Sequence, residues 1–549
     1  MKVIPKGIGF NGLIKLTFLA FNIYKQYGFR TLWRKLSNKF SNKEEQEYPV
    51  WILKNEPSEK DLSDQKTLAE KFSYRPLISI IMPVFNPKAE VLQDAIHSVL
   101  NQTYYHWELC IADGSEGPSG SEIRTLLSEY VKRDSRIKVK YLNNNNGISG
   151  NSNKALETAE GDFIAFLDHD DQIAPFALFR IVERLNQDQD IDVLYSDRDL
   201  LSWDGRKRYH PLFKPDWSPE LLVSVNYLIH LCVVRKDLVE RVGGFLSEMD
   251  GAQDWDLFFR VTELTSKIVH IPEILYHWRV GPTSAAWSLA AKPYVVKAQI
   301  QAIKNHFGRN GIDVDVSLGP SGFIRINWKN VGREKASVII INQRSLKNLE
   351  KFLKNILAKT KFIDYEIVLV GNKVDRPEIQ SVLTKGPICK VNPPVGLTLS
   401  ELRNLGAEKA AGKVLIFIDE NLEVLDSDWL NELAGWAVQK EIGAVGGKIL
   451  NADRTLHSVG LIISEDKKII SPFSGMKEYY GKYGSSEWYR NYPAVSWDCL
   501  AVRKEVFEEV NQFDTNAEPD SGNIDFCLRI QKIGYRNVYS PYTRVRTIG

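Results

Sequence analysis

The feature that most restricts the fold is a repeat: between residues 79 and 171, and again between 337 and 421, short β-branched runs alternate with amphipathic stretches in one order. SIIMPVFN stands against SVIIINQR, and ELCIADGS against EIVLVGNK. SNKALETAEGDFIAFLDHDD stands against LRNLGAEKAAGKVLIFIDEN, and further on DWDLFFRV against NIDFCLRI. The period of about 250 residues far exceeds any solenoid unit, so it reads as a duplicated domain. Alternation of strand and helix predicts an α/β fold with a mostly parallel sheet in each copy, whose ligands collect outside the carboxyl ends of the strands. The copies are placed at 76–330 and 336–549, with their boundary near 325–335.

Two segments precede the first copy. Residues 44–75 are polar and charged around PVWIL and read as a connector. Residues 1–43 carry nine Lys or Arg and no acid, and Asn11, Lys15, Asn22 and Gln26 form a narrow polar stripe at helical spacing. A wide apolar face with cationic flanks predicts a basic amphipathic helix in the headgroup plane of an anionic membrane; the alternative is a helix docked on the protein's own core. No run of 18 apolar residues reads as a membrane span, and no signal-peptide cleavage site follows. The expected place is therefore cytoplasmic, peripheral on the inner face of the cell membrane.

Composition excludes more than it assigns. The 71 basic and 69 acidic residues leave a net charge of +2, and the 13 tryptophans do not interleave with basic clusters, so no nucleic-acid partner is expected. Five widely spaced cysteines contain no CxxC pair and read as buried hydrophobes in a reducing compartment.

Chemistry gathers in the first copy. Three aspartates in the turn FLDHDD repel one another unless a cation neutralises them, and oxygen ligands select hard ions. Asp113 ends another strand. Downstream, Asp254 opens an amphipathic helix, and ILYHWRVG brings His277 and Arg279. Together these supply a carboxylate base, a nitrogen ligand and a cation for phosphate, the groups that displacement of a nucleoside diphosphate needs.

The stretches PLISIIMPVFN, WELCIADGS, NNGIS, FIAFLDHDD, HPLFKPDWSPELL, NYLIHL, QDWDLFFRV and IPEILYHWR resemble family-2 glycosyltransferases, in particular the two-domain bacterial enzymes of O-antigen and capsule synthesis labelled rhamnosyltransferases. The resemblance covers residues 44–549. It implies two tandem GT-A (Rossmann-like) domains, inversion at the anomeric carbon, a Mn²⁺ or Mg²⁺ ion, a UDP- or dTDP-sugar donor, and a glycan or lipid-linked acceptor. Residue by residue, it implies that Asp113 bonds the nucleobase, Asp168 holds the ribose side and Asp170 binds the metal with His277. Arg279 would face the diphosphate, and Asp254 would deprotonate the acceptor hydroxyl. Lys214, Trp217 and Asn226 would lie toward the acceptor. Two departures stand out: Gly114 where the family commonly has a second aspartate, and Arg198 within SDRD where it has an acid.

In the second copy the corresponding positions are Gly371, Asn421 and Asn523, with Thr547 where a histidine is expected. Asn can neither accept a proton nor match a carboxylate's pull on a divalent ion. The first copy is thus expected to be active and the second silent. A bifunctional polymerase would need both copies to work; an inert nucleotide-sugar-binding scaffold would need neither.

Overall fold

The structure is a computed structural model that describes residues 42–281, 293–329, 334–343, 346–362, 364–372, 386–464, 466–517 and 522–548. The basic segment expected over 1–43 lies outside the described residues up to position 41. No helix among the described residues is long and apolar enough to cross a membrane.

The first sheet comprises β1 (Ile78–Val84), β2 (Trp107–Asp113), β3 (Ile137–Tyr141), β4 (Phe163–Phe166), β5 (Gln172–Ile173), β6 (Val193–Ser202), β7 (Arg208–Leu212), β8 (Cys232–Arg235) and β9 (Ile268–Val280). Its order is β3-β2-β1-β4-β8-β6-β9-β5, with β7 paired to β6. Strands β1 to β4 are parallel to one another, and β8 runs antiparallel between β4 and β6. Helices cover both faces, so β1 is apolar along nearly its whole length and almost wholly buried. The helix Ala89–Leu100 shows the matching pattern: Val91, Leu92, Ala95, Ile96 and Val99 make one buried stripe at helical spacing. The register Val84↔Asp113 and Ile81↔Phe166 brings the carboxyl ends of β2, β1 and β4 to one rim.

After the hairpin β10 (Val314–Leu318) and β11 (Ile324–Trp328), the same order returns. The second sheet uses β12 (Ala336–Ile341), β13 (Tyr365–Val370), β14 (Ile388–Val391), β15 (Val414–Ile418), β16 (Leu422–Val424), β17 (Ile442–Leu450), β18 (Cys499–Arg503) and β19 (Arg536–Thr547). These run β14-β13-β12-β15-β18-β17-β19-β16, which is the order of the first sheet. The duplication read from the sequence is therefore a duplication of topology.

The halves are pressed together. The short helix Pro219–Ser224 carries Glu220, buried and paired at 2.9 Å with Arg536. Ser218 Oγ donates to Asn491 at 2.7 Å, and Ser224 Oγ accepts from the Tyr489 amide at 2.8 Å. The Phe213 amide donates to the Lys482 carbonyl at 2.7 Å.

Residues 44–75 are more than a connector. They form the helices Asn42–Asn55 and Glu59–Ala69, the second opened by a Ser58–Asp61 capping box. The first inserts Tyr48 into the first half, where its hydroxyl donates to Asp199 at 2.6 Å.

Candidate active site

At the rim of the first sheet, β4 delivers the turn Asp168–Asp171. Asp171 is fully buried; one oxygen accepts from the Tyr276 hydroxyl at 2.6 Å and the other from the Arg279 amide at 2.6 Å. Burial, then the charges of Asp170 and Asp168, push the Asp171 carboxyl well above its usual range. Burial and the charge of Asp170 likewise raise Asp168 to about 6. No Lys or Arg forms an ion pair with Asp168 or Asp171 among the described residues, although Arg198 faces Asp171 electrostatically.

His230 closes the cluster. Asp168, Asp171 and His230 each offer an atom, and the three lie within 4.8 Å of one another. Burial, then the charges of Lys214 and Arg198, hold the His230 imidazole well below its usual range, which leaves it neutral with a lone pair to offer. Its ring stacks on Tyr276 at 4.5 Å. Two oxygens and one neutral nitrogen, packed where carboxylates repel, fit a hard divalent cation.

Asp254 opens the helix Gln253–Thr262. Burial, then the charge of Asp168, raise it to about 7, while a 3.1 Å bond from the Gln253 amide opposes the shift. A carboxylate poised near neutrality suits a general base. Asp113, at the end of β2, is fully buried; one oxygen accepts from the Ser115 amide at 2.9 Å, and Arg124 stands 3.7 Å from the other. That second oxygen has no hydrogen-bond partner, so it can accept from a ligand N–H at no cost to the fold.

Three expected residues sit differently. His277 is one position past Tyr276 on β9, so its side chain points to the opposite face. There its Nδ1 meets Asp199 at 2.8 Å, an acid also held by Tyr48 and by Arg208 at 2.6 Å. Asp170 lies in the turn, but its part in the geometry is its charge and its carbonyl, which accepts from Arg279 Nε at 2.7 Å. The Arg279 guanidinium is 1% exposed and spent on Asp170, Trp203 and Asp94, so it turns inward and braces the acidic turn. The group whose side-chain atoms converge closely enough to hold an ion is thus Asp168, Asp171 and His230, without Asp170 or His277.

On the far side, Lys214 is buried, and its ammonium donates to the His230 carbonyl at 3.0 Å. Burial lowers it to about 7. Trp217 stacks near Tyr227 at 6.4 Å, and the side-chain oxygen of Asn226 is buried without a partner. Asp171, His230, Tyr276, Asp199 and Tyr48 were not singled out by sequence reasoning. The stretches FLDHDD, NYLIHL, ILYHWRVG and SDRD contain all of them but Tyr48.

In the second half the pairing of β12 with β15 and of β15 with β18 sets Asp419 at the place of Asp168, Asn421 at that of Asp170, and Asp498 at that of His230. Opposite β16, the place of His277 is taken by Arg546, which pairs with Glu423. Glu420 is buried and accepts from Asn342 at 2.8 Å and from the Gln343 amide at 2.9 Å. All five cysteines are free thiols, four of them buried.

The model of the family "Glycosyl transferase family 2" matches residues 79–242 and again 337–510. The O-antigen biosynthesis protein RfbC of Myxococcus xanthus is 32% identical over 505 residues, covering 91% of this chain and 39% of that protein. The uncharacterized protein y4gI of Sinorhizobium fredii is 32% identical over 495 residues, covering 87% of this chain and 54% of its own. The chain thus spans about half or less of these two relatives. The putative teichuronic acid biosynthesis glycosyltransferase TuaG of Bacillus subtilis is 36% identical over 242 residues, covering 43% of this chain and 92% of that protein. The crystal structure of S. aureus TarS 1–349 matches at 20% identity and a TM-score of 0.33, covering 42% of this chain and 65% of that one. Each family match falls on one copy of the repeated sheet, and the first encloses the acidic turn at its rim: the chain belongs to glycosyl transferase family 2 and carries two of its domains in tandem.

Proposed function

We propose that the first half is an inverting glycosyltransferase that moves a sugar from a nucleoside-diphosphate donor to a hydroxyl of a growing cell-surface glycan, and that the second half transfers nothing. The observation that carries this reading is the rim itself: an orphaned buried oxygen on Asp113, an acid cluster without an ion pair beside a neutral histidine, and a base near neutrality on Asp254. The names of the relatives, which concern O-antigen and teichuronic acid, support the class of acceptor.

Asp168, Asp171 and His230 would hold a Mn²⁺ or Mg²⁺ ion, which when bound offsets the charge that builds on the departing diphosphate. Asp113 accepts from the nucleobase. Asp254 takes the proton of the acceptor hydroxyl as that oxygen bonds the anomeric carbon; the bond from that carbon to the diphosphate breaks, and the electron pair leaves with it. Attack from the face opposite the leaving group inverts the centre. The expected site is the inner face of the cell membrane, reached through the basic N-terminal segment.

The test is nucleotide release from UDP-, dTDP- and GDP-sugars with Mn²⁺ or Mg²⁺, comparing the wild type with Asp170→Asn, Asp171→Asn and Asp254→Asn. Release from one donor, lost in Asp171→Asn and Asp254→Asn, is the expected result. No release from any donor with lipid or oligosaccharide acceptors present would sink the reading.

A further inference from the structure

Arg198 carries a charge that no acid pairs among the described residues, although it helps to hold His230 neutral. Its guanidinium lies over the Trp278 ring, 4.7 Å from the centroid, and makes no hydrogen bond or ion pair among the described residues. Burial works against its charge; Tyr480, then Asp199, Asp171 and Tyr276, face it electrostatically. The two acids are committed elsewhere, Asp199 to His277, Tyr48 and Arg208, and Asp171 to Tyr276 and the Arg279 amide. Strand alternation explains the split: on β6 Asp199 points to the His277 face, whereas Arg198 points to the face of Tyr276, Trp278 and His230. A half-buried guanidinium on an aromatic ring without an anion is a site waiting for one.

Its place in the sheet says which substrate. The donor reading runs from Asp113 on β2 across β1 to the acids after β4; Arg198 lies beyond them on β6, with β8 between. On the side of the second half, Tyr480, which faces it electrostatically, stacks on Phe323 at 6.2 Å, and Tyr483 packs on Phe213 at 5.9 Å. Trp278 and Tyr480 are surfaces on which a pyranose can lie.

We propose that the Arg198 guanidinium, held on the Trp278 ring, is the counter-ion for an acceptor glycan residue bearing one anionic group, a carboxylate or a phosphate ester. This rests on the transferase reading of the first half and names its acceptor class.

The experiment is calorimetric titration of the full chain, in Mn²⁺, with four probes: UDP, a glucuronate-terminated disaccharide, its carboxyl-reduced counterpart, and glucose 6-phosphate. One charged probe should bind about tenfold or more tightly than the neutral disaccharide, the size of a charge-assisted hydrogen bond, and which one does so tells carboxylate from phosphate. Arg198→Gln should erase that preference, and Arg198→Lys should keep part of it. Equal binding of the three sugar probes, or binding of none, overturns the proposal, as does a preference that survives in Arg198→Gln. Failure of UDP to bind the wild type strikes the transferase reading instead.

Discussion

In the first half Ser79 donates to Glu108 at 2.6 Å and accepts from the Gly161 amide at 2.8 Å; in the second, Ser337 donates to Glu366 at 2.6 Å and accepts from the Gly412 amide at 2.8 Å. Asn153 clamps the Phe245 backbone as Asn404 clamps that of Phe513. Asp256–Arg260 and Asp525–Arg529 each bond at 2.8 Å one helical turn apart. The two halves keep the polar bonds that hold the sheet and differ in the groups at its rim, where Asp113, Asp170 and Asp254 become Gly371, Asn421 and Asn523. Bonds that fix the fold are thus separable from groups that do chemistry.

If that separation holds, the two helix-opening positions should answer very differently to substitution. Asp254→Asn removes the general base and should lower transfer by about 10²- to 10⁴-fold. Asn523→Ala, at the matching place, should leave transfer unchanged in the same donor-hydrolysis and acceptor assays. A comparable loss at Asn523 would mean that the second half takes part in the chemistry.

The next effect is on stability and should separate the halves by burial alone. Arg260→Met strands Asp256, which is fully buried, and should cost about 3 kcal/mol, the lower end for breaking a buried pair, since Arg309 stays 3.9 Å away. Arg529→Met leaves Asp525 at 42% exposure, so the lost pair is worth about 1 kcal/mol or less. Urea midpoints of the two variants check the order, and equal shifts would refute it.

The pH profile of the first half follows from the Asp254 carboxyl near 7. A base works deprotonated, so kcat/KM should rise with pH through about 7 and level above it. Because the Asp168 charge is one cause of the shift, saturating Mn²⁺ should move the limb to lower pH. A limb that ignores Mn²⁺ would separate Asp254 from the acid cluster.

How much of this was legible depends on the range of each contact. The strand runs, the helical stripes and the duplication are local patterns, and the structure has both sheets in one order. Asp113 and Asp254 were legible because each opens or ends an element. His230 and Asp171 were not: Asp171 is defined by Tyr276, 105 residues away, and only the register of β5 on β9 brings them together. The same register turned His277 to the opposite face, which no spacing within YHWR reveals. Residues 44–75 read as a connector because their charges hid Tyr48, whose partner Asp199 is 151 residues distant.

The mildest consequence concerns what stands in the second half at the place of the first half's histidine. Arg403, nine-tenths buried or more, stacks on Trp497 at 4.1 Å from its centroid and lies 4.0 Å from Asp498. Burial lowers it to about 10 against the opposing charges of Asp498 and Asp419, the two acids that stand where His230 and Asp168 stand in the first half. A fixed guanidinium thus stands beside these two acids, and the matching position in the first half, aligned through Asn153 and Asn404, is Ser152. Titration of the full chain with Mn²⁺ should therefore count one ion, lost in Asp171→Asn. Arg403→Ser frees Asp419 and Asp498 and should add a second, weaker ion without changing transfer, because Asn421 and Asn523 remain neutral. A second ion already present in the wild type would show that the guanidinium does not occupy the cation's place, and the second half would then differ from the first in its base alone.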